Sequence, residues 1–526
     1  MVNEQSIGWC ASRAAERWPE TEYATFNGRR VTFGEFGLWV ERISADLIAH
    51  GVEPGDRVLV QLPNCLEVIA LQIAAWRIAA VAVPVVPIYR ERELTQIIRD
   101  ARPVAVATTE RLGSRALRTE LETALGAAGV TPRLRYLLDG ASDLWTAIPS
   151  LDDLEWPGGE LPSPARADEC CLILYTSGTT SAPKGAMLSS AALVAATRAW
   201  ERLALTAEDV GLGIAPLAHI AGMVPGCLVP MTVGCRVAIM PRWEPEIAIQ
   251  AIHQEQATFS TGANVFLKDM VEGYERHDSQ SLHKLRYFVS GGAATPPSLV
   301  ERAHRLGVGA MRAYGMTETA GVISMAEHDA PPSRKANFDG HLLDTVEMRA
   351  LGLDGEDLAP GAVGALRIRG PQLMLGYTDP ALNELQFDGD GWFDPGDIGA
   401  IDERRWLQIT GRTKDIINRG GEKFSARDIE ENILRHDAVI DAAVIPIPDQ
   451  RFGEAVCAFV VVDGRVATPT SEALAEFMLA SGITRAKVPI EWHFLDRIPT
   501  TATGKVKKFE LAAMRERVTT QQGAAR

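Results

Sequence analysis

The chain has 526 residues, of which 46% are hydrophobic and 23% are charged, a composition typical of globular proteins. This length exceeds what one small core can organise, so we expect at least two domains. The 53 Lys and Arg residues face 68 Asp and Glu residues, which leaves a net charge of −15. That acidic balance argues against nucleic acid as a partner, because phosphate backbones require basic patches.

The cysteines and the hydropathy pattern indicate where the protein works. Seven cysteines are spread along the chain without metal-ligand spacing, which fits a reducing compartment better than a disulfide scaffold. The N-terminus lacks the basic start and apolar core of a secretory signal. The apolar stretch 68–88 contains Gln72, Arg77 and two prolines, which predicts a buried helix and a strand. We therefore expect a cytoplasmic protein without stable membrane insertion.

Helical and strand patterns alternate along the first three hundred residues. The predicted helices are 32–50, 67–79, 90–100, 245–255 and 297–306, and the predicted strands are 57–62, 81–86, 210–215 and 285–290. Strands separated by helices predict parallel sheets that are covered on both faces. The expected fold class is therefore α/β.

The pattern changes near residue 411. Residues 406–410 read as a strand, and 414–424 as a hairpin turned at Gly420-Gly421. Ser425 and Asp428 have capping-box spacing, which predicts a helix from there to about residue 436. Further strands are predicted at 439–447, 456–462 and 491–495, with a helix at 471–480 and a disordered tail at 519–526. These elements form an α+β unit of about a hundred residues, a usual domain size.

The most specific motif is the loop that follows the apolar run 171–174. Glycines allow its backbone amides to approach an anion closely, hydroxyls add donors, and Lys184 adds a positive charge. The order differs from Gly-x-x-x-x-Gly-Lys-Ser/Thr, because Gly178 precedes the lysine by six residues. A polar surface turn is the alternative. The candidate phosphate-binding residues are Thr176, Ser177, Gly178, Thr179, Thr180 and Lys184.

This loop resembles the phosphate-binding signature of the adenylate-forming superfamily, which includes acyl- and aryl-CoA synthetases, peptide-synthetase adenylation domains and beetle luciferases. Ser181 stands where the family usually has glycine, and Pro395 where it commonly has threonine. Four further segments match in the family's order, so that the resemblance covers nearly the whole chain. They are Tyr314-Gly-Met-Thr-Glu318, Trp392-Phe-Asp-Pro-Gly-Asp397, Gly411-Arg-Thr-Lys-Asp415 and the stretch from Pro499 to Lys505.

The resemblance implies a fold and an activity. The expected fold is a large N-terminal domain, residues 1–412, of layered α/β sheets with a small barrel-like subdomain, followed by a small mobile α+β C-terminal domain, residues 413–526. The implied enzyme is an acid–CoA ligase that uses ATP, Mg²⁺ and coenzyme A, forms an acyl-adenylate and then a thioester, and releases pyrophosphate and AMP. Loading of a carrier-protein thiol, a luciferase-type oxygenase and a non-catalytic nucleotide-binding regulator are the alternatives, and a homodimer is compatible with the resemblance.

The same resemblance implies how the nucleotide is held. Tyr314 and Gly315 would lie against adenine, Thr317 would bind the α-phosphate, and Glu318 would hold Mg²⁺, because a carboxylate near a triphosphate requires a metal between them. A solvated helix start is the alternative for this segment. The backbone of Gly292, Ala293 and Ala294 would frame adenine, although a tight turn explains these small residues equally well.

Asp397 and Arg412 are the expected ribose-binding residues, since a carboxylate offers two acceptor oxygens. Lys505 corresponds to the family's adenylation lysine, in place of a solvated surface charge, and Lys414 to its hinge, about which the small domain would rotate between steps. That rotation would present Gly420, Gly421 and Glu422 to the coenzyme A site.

His219 matches the segment that lines the acyl pocket, and a satisfied core histidine is its alternative. The small residues beside it, Ala218, Ala221 and Gly222, predict a roomy pocket without charge. We therefore expect a small-molecule acid that is apolar: medium-chain, cyclic or aromatic.

Overall fold

The computed structural model describes residues 6–142, 144–153, 161–177, 183–277, 284–352, 354–419, 422–500 and 506–524. The chain divides into two compact units. The first unit is residues 1–346 with 369–391, and the second unit is residues 347–368 with 392–526. The boundary predicted between residues 412 and 413 falls inside the second unit and stays a prediction.

The described helices alternate with strands through the first unit. Its helices are α1 (Cys10–Arg17), α2 (Phe33–Ala49), α3 (Leu66–Arg77), α4 (Glu91–Ala101), α5 (Leu117–Ala128), α6 (Ser190–Arg198), α7 (Ile220–Met223), α8 (Val229–Val233), α9 (Pro245–Gln254), α10 (Asn264–His277), α11 (Pro297–Arg305), α12 (Pro332–Asn337) and α13 (Pro380–Gln386). The helices of the second unit are α14 (Ala426–Ile433), α15 (Ser471–Ala480) and α16 (Lys508–Ala524). Among the described helices, none combines the length and the apolar character that crossing a bilayer requires.

The strands of the described residues form four sheets, two in each unit. Strands of the first unit are β1 (Glu22–Phe26), β2 (Arg29–Thr32), β3 (Arg57–Val60), β4 (Val81–Pro84), β5 (Ala105–Thr108), β6 (Leu134–Leu137), β7 (Thr146–Ala147), β8 (Cys170–Ser177), β9 (Pro183–Ser189), β10 (Val210–Gly213), β11 (Arg236–Ile239), β12 (Phe259–Gly262), β13 (Tyr287–Ser290), β14 (Gly309–Met316), β15 (Gly321–Met325) and β18 (Gly376–Tyr377). Those of the second unit are β16 (Glu347–Leu351), β17 (Gly364–Arg369, whose last residue belongs to the first unit), β19 (Asp397–Ile401), β20 (Leu407–Arg412), β21 (Ile416–Arg419), β22 (Glu422–Ser425), β23 (Val439–Asp449), β24 (Gly453–Val462) and β25 (Glu491–Phe494).

Each sheet of the first unit has eight strands and a largely parallel centre. Their orders are β15-β14-β13-β12-β10-β11-β1-β2 and β18-β9-β8-β4-β3-β5-β6-β7. Central strands such as β3 and β4 are parallel and their apolar side chains are buried, as expected when helices cover both faces. The predicted α/β class is confirmed, and the apolar stretch at 68–88 is the buried helix α3 followed by β4.

Helix α2 shows how closely a local signal can fix an element. The Thr32 hydroxyl accepts from the backbone N–H of Glu35 at 3.1 Å, and the Glu35 carboxylate accepts from the backbone N–H of Thr32 at 2.8 Å. This reciprocal capping box satisfies two amide donors that the helix leaves free at its start. The predicted helix 32–50 accordingly begins at Phe33 and ends at Ala49.

The second unit contains a four-stranded sheet with the order β16-β17-β19-β20. It also contains a five-stranded sheet with the order β22-β21-β24-β23, in which the fifth strand, β25, pairs with β24. Apolar residues of α14 and α15 pack on one face of the five-stranded sheet, and Leu511 of α16 packs on the other. The predicted hairpin is confirmed by the pairing of β21 with β22, in which Arg419 faces Glu422.

Two predictions for the second unit are wrong. Ser425 does precede α14, but its hydroxyl caps no amide and donates to the carbonyl oxygen of Thr410. Asp428, the other half of the predicted capping box, accepts from Lys487 at 2.5 Å. The tail predicted as disordered at 519–526 continues helix α16 as far as Ala524, and residues 525 and 526 lie outside the described residues. Most helical stability in proteins comes from tertiary packing, and nearer its start α16 packs Leu511 on the sheet.

Candidate active site

The candidate acyl and adenine residues follow the carboxyl ends of neighbouring parallel strands. Strands β10, β12, β13 and β14 run parallel in that order, with Gly262 beside Ser290 and Ser290 beside Arg312. The chain that leaves these strands carries His219, the 292–294 segment and the 314–318 segment. The carboxyl edge of a parallel sheet is where α/β proteins bind ligands.

The segment after β13 is a tight turn held from both ends. Gly292 has φ +80°, a left-handed conformation that favours glycine. The hydroxyls of Ser290 and Thr295 bond across the turn at 2.7 Å, and Asn264 donates to the carbonyl oxygen of Ala294 at 2.7 Å. Gly292 and Ala294 are exposed and Ala293 is partly exposed, so the turn presents small side chains and backbone suited to a flat base.

The 314–318 segment forms the end of β14 and the start of a short 3₁₀ turn, Thr317–Thr319. Gly315 must be glycine, because a Cβ there would collide with the carbonyl oxygen of Gly321 on the antiparallel strand β15. The Thr319 hydroxyl accepts from the backbone N–H of Met316 at 3.0 Å and so fixes the turn. Thr317 is buried, while Tyr314 and Glu318 are partly exposed.

Tyr377 holds the carboxylate of Glu318. Its hydroxyl donates to Glu318 Oε1 at 2.8 Å, and the backbone N–H of Met374 donates to the Glu318 carbonyl oxygen at 2.8 Å. Burial first, and the neighbouring carboxylate second, raise the pKa of Tyr377, so its phenol stays neutral and donates. Tyr377 was not predicted from the sequence, because it lies 59 residues from Glu318 and no spacing signal links the two.

The strand that follows the predicted phosphate loop, β9, lies against the same tyrosine. In the antiparallel pair β8–β9, Thr176 faces Lys184 and Ser177 faces Pro183. The Lys184 ammonium lies 5.6 Å from the centre of the Tyr377 ring, within cation–π range. Gly178, Thr179 and Thr180 lie outside the described residues, so their predicted phosphate contacts stay predictions.

Asp100 ties the base of this loop to its neighbours. Its Oδ2 accepts from the Tyr175 hydroxyl at 2.6 Å and from the Thr378 hydroxyl at 2.6 Å. Burial and the Asp100 carboxylate raise the pKa of Tyr175. The Asp100 carboxylate, near the end of α4, thus joins β8 to Thr378, the residue that follows β18. This role of Asp100 was not predicted from the sequence.

His219 caps the helical stretch that begins with α7. Its Nδ1 accepts from the backbone N–H of Ala221 at 3.2 Å, and α7 continues through a π-helical turn, Val224–Leu228, into α8. Such turns occur often at functional sites. A Cβ at Gly222 would collide with the Pro216 carbonyl oxygen, so that glycine is required by a backbone contact.

A small cavity lies beside this segment, and all of its lining residues are uncharged. Ala215 and Gly222 line it on either side of His219 in the chain, and Leu212, Val237 and Phe259 supply apolar surface. Ala218 is buried and Ala221 is exposed. At about 10 Å³ the cavity has room for about one water molecule and not for a carboxylic acid. The smallness of Gly222 reports on backbone packing and not on substrate room.

In the second unit the two ribose candidates are joined. Asp397 and Arg412 face each other in the β19–β20 pair, and Arg412 Nε donates to Asp397 Oδ1 at 2.7 Å. The Asp397 carboxylate is nearly buried and Arg412 is exposed. This pairing fixes the position of the acceptor oxygens.

The remaining candidates of the second unit are less constrained. Lys414 is exposed in a 3₁₀ turn, Thr413–Asp415, and Glu422 is exposed at the start of β22. Gly420, Gly421 and Lys505 lie outside the described residues, so their predicted roles rest on the sequence alone.

Known proteins resemble this chain over nearly its whole length. Residues 11–378 match the AMP-binding enzyme family, and residues 428–505 match the AMP-binding enzyme C-terminal domain. The medium-chain fatty-acid–CoA ligase of Escherichia coli is 29% identical over 96% of this chain and 90% of its own length. The indoleacetate–CoA ligase of Aromatoleum aromaticum is 31% identical over 98% of both chains.

The same likeness holds in three dimensions. The crystal structure of ATP-bound MatB from Rhodopseudomonas palustris has a TM-score of 0.84 and 27% identity, with 96% of this chain and 98% of the other covered. The superfamily, fold class and enzyme class predicted from the sequence are confirmed. The chain therefore belongs to the AMP-binding enzyme family, the adenylate-forming group of enzymes that its motifs indicate.

Proposed function

We propose that this protein is an ATP-dependent carboxylic acid–CoA ligase that acts in two steps. First, a carboxylate oxygen of the acid attacks the α-phosphorus of ATP, the bond to the bridging oxygen of the β-phosphate breaks, and pyrophosphate leaves. Then the thiol of coenzyme A loses its proton, its sulfur attacks the acyl carbon, and AMP leaves with the electron pair of the broken acyl–oxygen bond. The observation that carries the proposal is the gathering of Lys184, Glu318 and Tyr377 in the first unit.

The first step brings two anions together, so the site must supply positive charge and hydrogen-bond donors. Lys184, with the hydroxyls and amides of residues 176–180, would hold the β- and γ-phosphates, and Thr317 would donate to the α-phosphate. The Glu318 carboxylate suits Mg²⁺, which prefers oxygen ligands and binds through one or two carboxylates plus phosphates. When bound there, Mg²⁺ would neutralise phosphate charge.

The nucleoside contacts follow from the resemblance. Tyr314, Gly315 and the 292–294 turn would contact adenine, and the exposure of Gly292 and Ala294 supports the role of the turn. Asp397 would accept from the ribose hydroxyls, with Arg412 fixing its carboxylate.

The roles of the second unit in switching between steps rest on the resemblance. Lys505 would bind the reacting carboxylate and the α-phosphate during adenylation. Rotation about Lys414 would then withdraw it and present residues 420–422 to coenzyme A. We accordingly propose residues 413–526 as the moving part, with its boundary at 412/413.

The acid itself is proposed to be apolar, either a medium-chain fatty acid or a cyclic or aromatic acid. The acids named for two relatives, a medium-chain fatty acid and indoleacetate, support this choice. Residues 215–223, around His219, contain no Asp, Glu, Lys or Arg that could bind a substrate amine or a second carboxylate. Amino acids and dicarboxylates should therefore be poor substrates.

Two proposals concern the protein's setting. All seven cysteines are free thiols, which supports a reducing, cytoplasmic location. A homodimer is also proposed, and sedimentation velocity would test it.

A panel of acids tests the proposed function. We expect pyrophosphate release with medium-chain fatty acids, benzoates or cyclohexane carboxylates, and thioester formation only when coenzyme A is added. One methylene is worth about 1–3 kcal/mol in such a pocket, so kcat/KM should differ clearly across the panel. Glu318→Gln is the matched control and should release little pyrophosphate with any acid.

Each failure of the panel has a distinct meaning. If acetate or an amino acid were the best substrate, the proposal that the enzyme prefers an apolar acid would be wrong. Pyrophosphate release without a CoA thioester would point to another thiol, such as a carrier protein. A wild-type protein that binds ATP but releases no pyrophosphate with any acid would be a nucleotide-binding regulator.

A further inference from the structure

The strand β18 connects three parts of the candidate site, although it lies outside the five segments that carry the resemblance. The backbone N–H of Leu375 donates to the Met187 carbonyl oxygen at 2.8 Å, and that of Thr378 donates to the Gly185 carbonyl oxygen at 2.8 Å. These bonds fasten β18 to β9 directly after Lys184. The segment of residues 374–378 therefore fixes the strand that carries the phosphate-loop lysine.

The side chain of Tyr377 extends this connection to Glu318. Its hydroxyl binds Glu318 Oε1, its ring lies under the Lys184 ammonium, and the residue is only 3% exposed. A carboxylate has two oxygens, so a phenol that engages Oε1 leaves Oε2 for a cation. A hydrogen bond to a charged acceptor restricts the rotation of the carboxylate and so prepares it for that cation.

The position of Tyr377 is itself fixed by a side-chain clamp. Asn383 Oδ1 accepts from the Tyr377 backbone N–H at 2.7 Å, and Asn383 Nδ2 donates to the Tyr377 carbonyl oxygen at 3.2 Å. Gly376 has φ +139° and lies against this amide, so that a Cβ there would crowd Asn383. The phenol is thus placed by two backbone bonds and one strand pairing.

We propose that Tyr377 is a positioning residue that orients the Glu318 carboxylate for Mg²⁺·ATP and supports Lys184 beside it. The inference rests on the proposed function, since it takes Glu318 as the magnesium ligand. Tyr377 acts through Glu318 and Lys184 and has no role in the bond changes themselves.

Tyr377→Phe tests the proposal, because it removes only the hydroxyl and keeps the ring under Lys184. The Mg²⁺ concentration that half-activates pyrophosphate release should rise about tenfold, the scale of one hydrogen bond to a charged group. Saturating Mg²⁺ should restore most of kcat, and KM for the acid should stay unchanged. A purely structural role would instead lower kcat equally at all Mg²⁺ concentrations.

A binding measurement separates this effect from activity. Mn²⁺ replaces Mg²⁺, and the electron paramagnetic resonance signal of free Mn²⁺ reports binding in the presence of ATP. The Kd for Mn²⁺ should rise about tenfold in Tyr377→Phe. Tyr274→Phe is the matched control, since it also removes one hydroxyl bond, to His253 at 2.7 Å, and it should match the wild type.

The outcomes separate the two proposals. Wild-type protein without metal-dependent pyrophosphate release would overturn the proposed function. An active wild type whose Mg²⁺ and Mn²⁺ curves coincide with those of Tyr377→Phe would overturn the positioning role alone. Should Tyr377→Phe fail to fold, Asn383→Ala keeps the phenol but frees its backbone. That variant should also weaken Mn²⁺ binding, and an unchanged Kd would count against the proposal.

Discussion

A buried ion pair supports the strand that leads to the candidate adenine-binding segment. Arg312, two residues before Tyr314, donates from Nε and Nη2 to Asp339 Oδ1 at 3.0 and 2.7 Å, and from Nη1 to the Ala336 carbonyl oxygen at 3.2 Å. Both side chains are nearly buried. Breaking such a pair costs more than the pair contributes, because one charge is left buried without its partner.

Asp339→Asn should therefore lower the free energy of unfolding by about 3 kcal/mol, the lower end of the range for buried pairs that lose one partner. Urea denaturation of the wild type and the variant measures this difference. Asp168→Asn is the control, because its pair with Arg166 is exposed, and it should leave the midpoint unchanged. If the urea midpoint of Asp339→Asn equalled that of the wild type, the Arg312–Asp339 ion pair would not contribute to stability as expected.

Individual candidate residues could be predicted where they belong to a motif. They could not be predicted where they meet their partners only through tertiary contacts. Glu318 and Asp397 were named as candidates because their motifs resemble those of a known family. Tyr377 and Asp100 meet their partners through the sheet, and nothing in local sequence relates α4 to β18. Ser425 shows the reverse case, since its capping spacing was correct but its hydroxyl binds Thr410 instead.

At the scale of elements, α16 is fastened to the proposed hinge turn by one lysine. Lys508 Nζ lies 3.0 Å from Glu430 Oε1 and 3.3 Å from Asp415 Oδ2. Burial disfavours the ammonium, yet the two carboxylates outweigh it and raise the pKa of Lys508. The contact joins the residue after Lys414 to the helix that starts three residues after Lys505.

Lys508→Met should destabilise the second unit by about 2 kcal/mol, between the values for exposed and buried pairs. A raised lysine pKa contributes stability that is fully present below the ordinary lysine value and is lost as pH rises through the folded-state pKa. The difference in Tm should therefore be constant from pH 6 to 9. Lys508→Arg should retain most of the stability, and equal Tm values for all three proteins would contradict the role of the contact.

Elements with strong periodicity were predicted to within one residue at each end, as α2 and α15 illustrate. The stretch from α7 to α8 was not predicted, because small apolar residues carry no helical period there. Residues 508–518 of α16 were given no prediction and residues 519–526 were predicted to be disordered, because the contact of Leu511 with the sheet leaves no local signal in the sequence.

At the scale of the whole molecule, the division into compact units bears on the proposed rotation. The second unit contains residues on both sides of Lys414. Within it, Ser425 bonds to Thr410, and Gly411 packs so closely against Ser425 that a Cβ would collide with its hydroxyl. A rotation about Lys414 must break these contacts, so the sequence could indicate the hinge but not the bonds that oppose it.

Paired variants at Lys414 and Lys505 should separate the two half-reactions. Lys414→Pro fixes φ at the hinge, so adenylate formation should survive while thioester formation falls by at least tenfold. Lys505→Ala should show the opposite pattern, with adenylation lost and thioester formation from supplied acyl-adenylate retained, because the proposed role of that lysine is confined to the attack of the carboxylate. Ala467→Pro, in the exposed loop between β24 and α15, is the control and should leave both steps unchanged.

Normal turnover of Lys414→Pro would contradict the proposed hinge role of Lys414. Equal losses in both steps of Lys505→Ala would contradict the proposed role of Lys505 in adenylation.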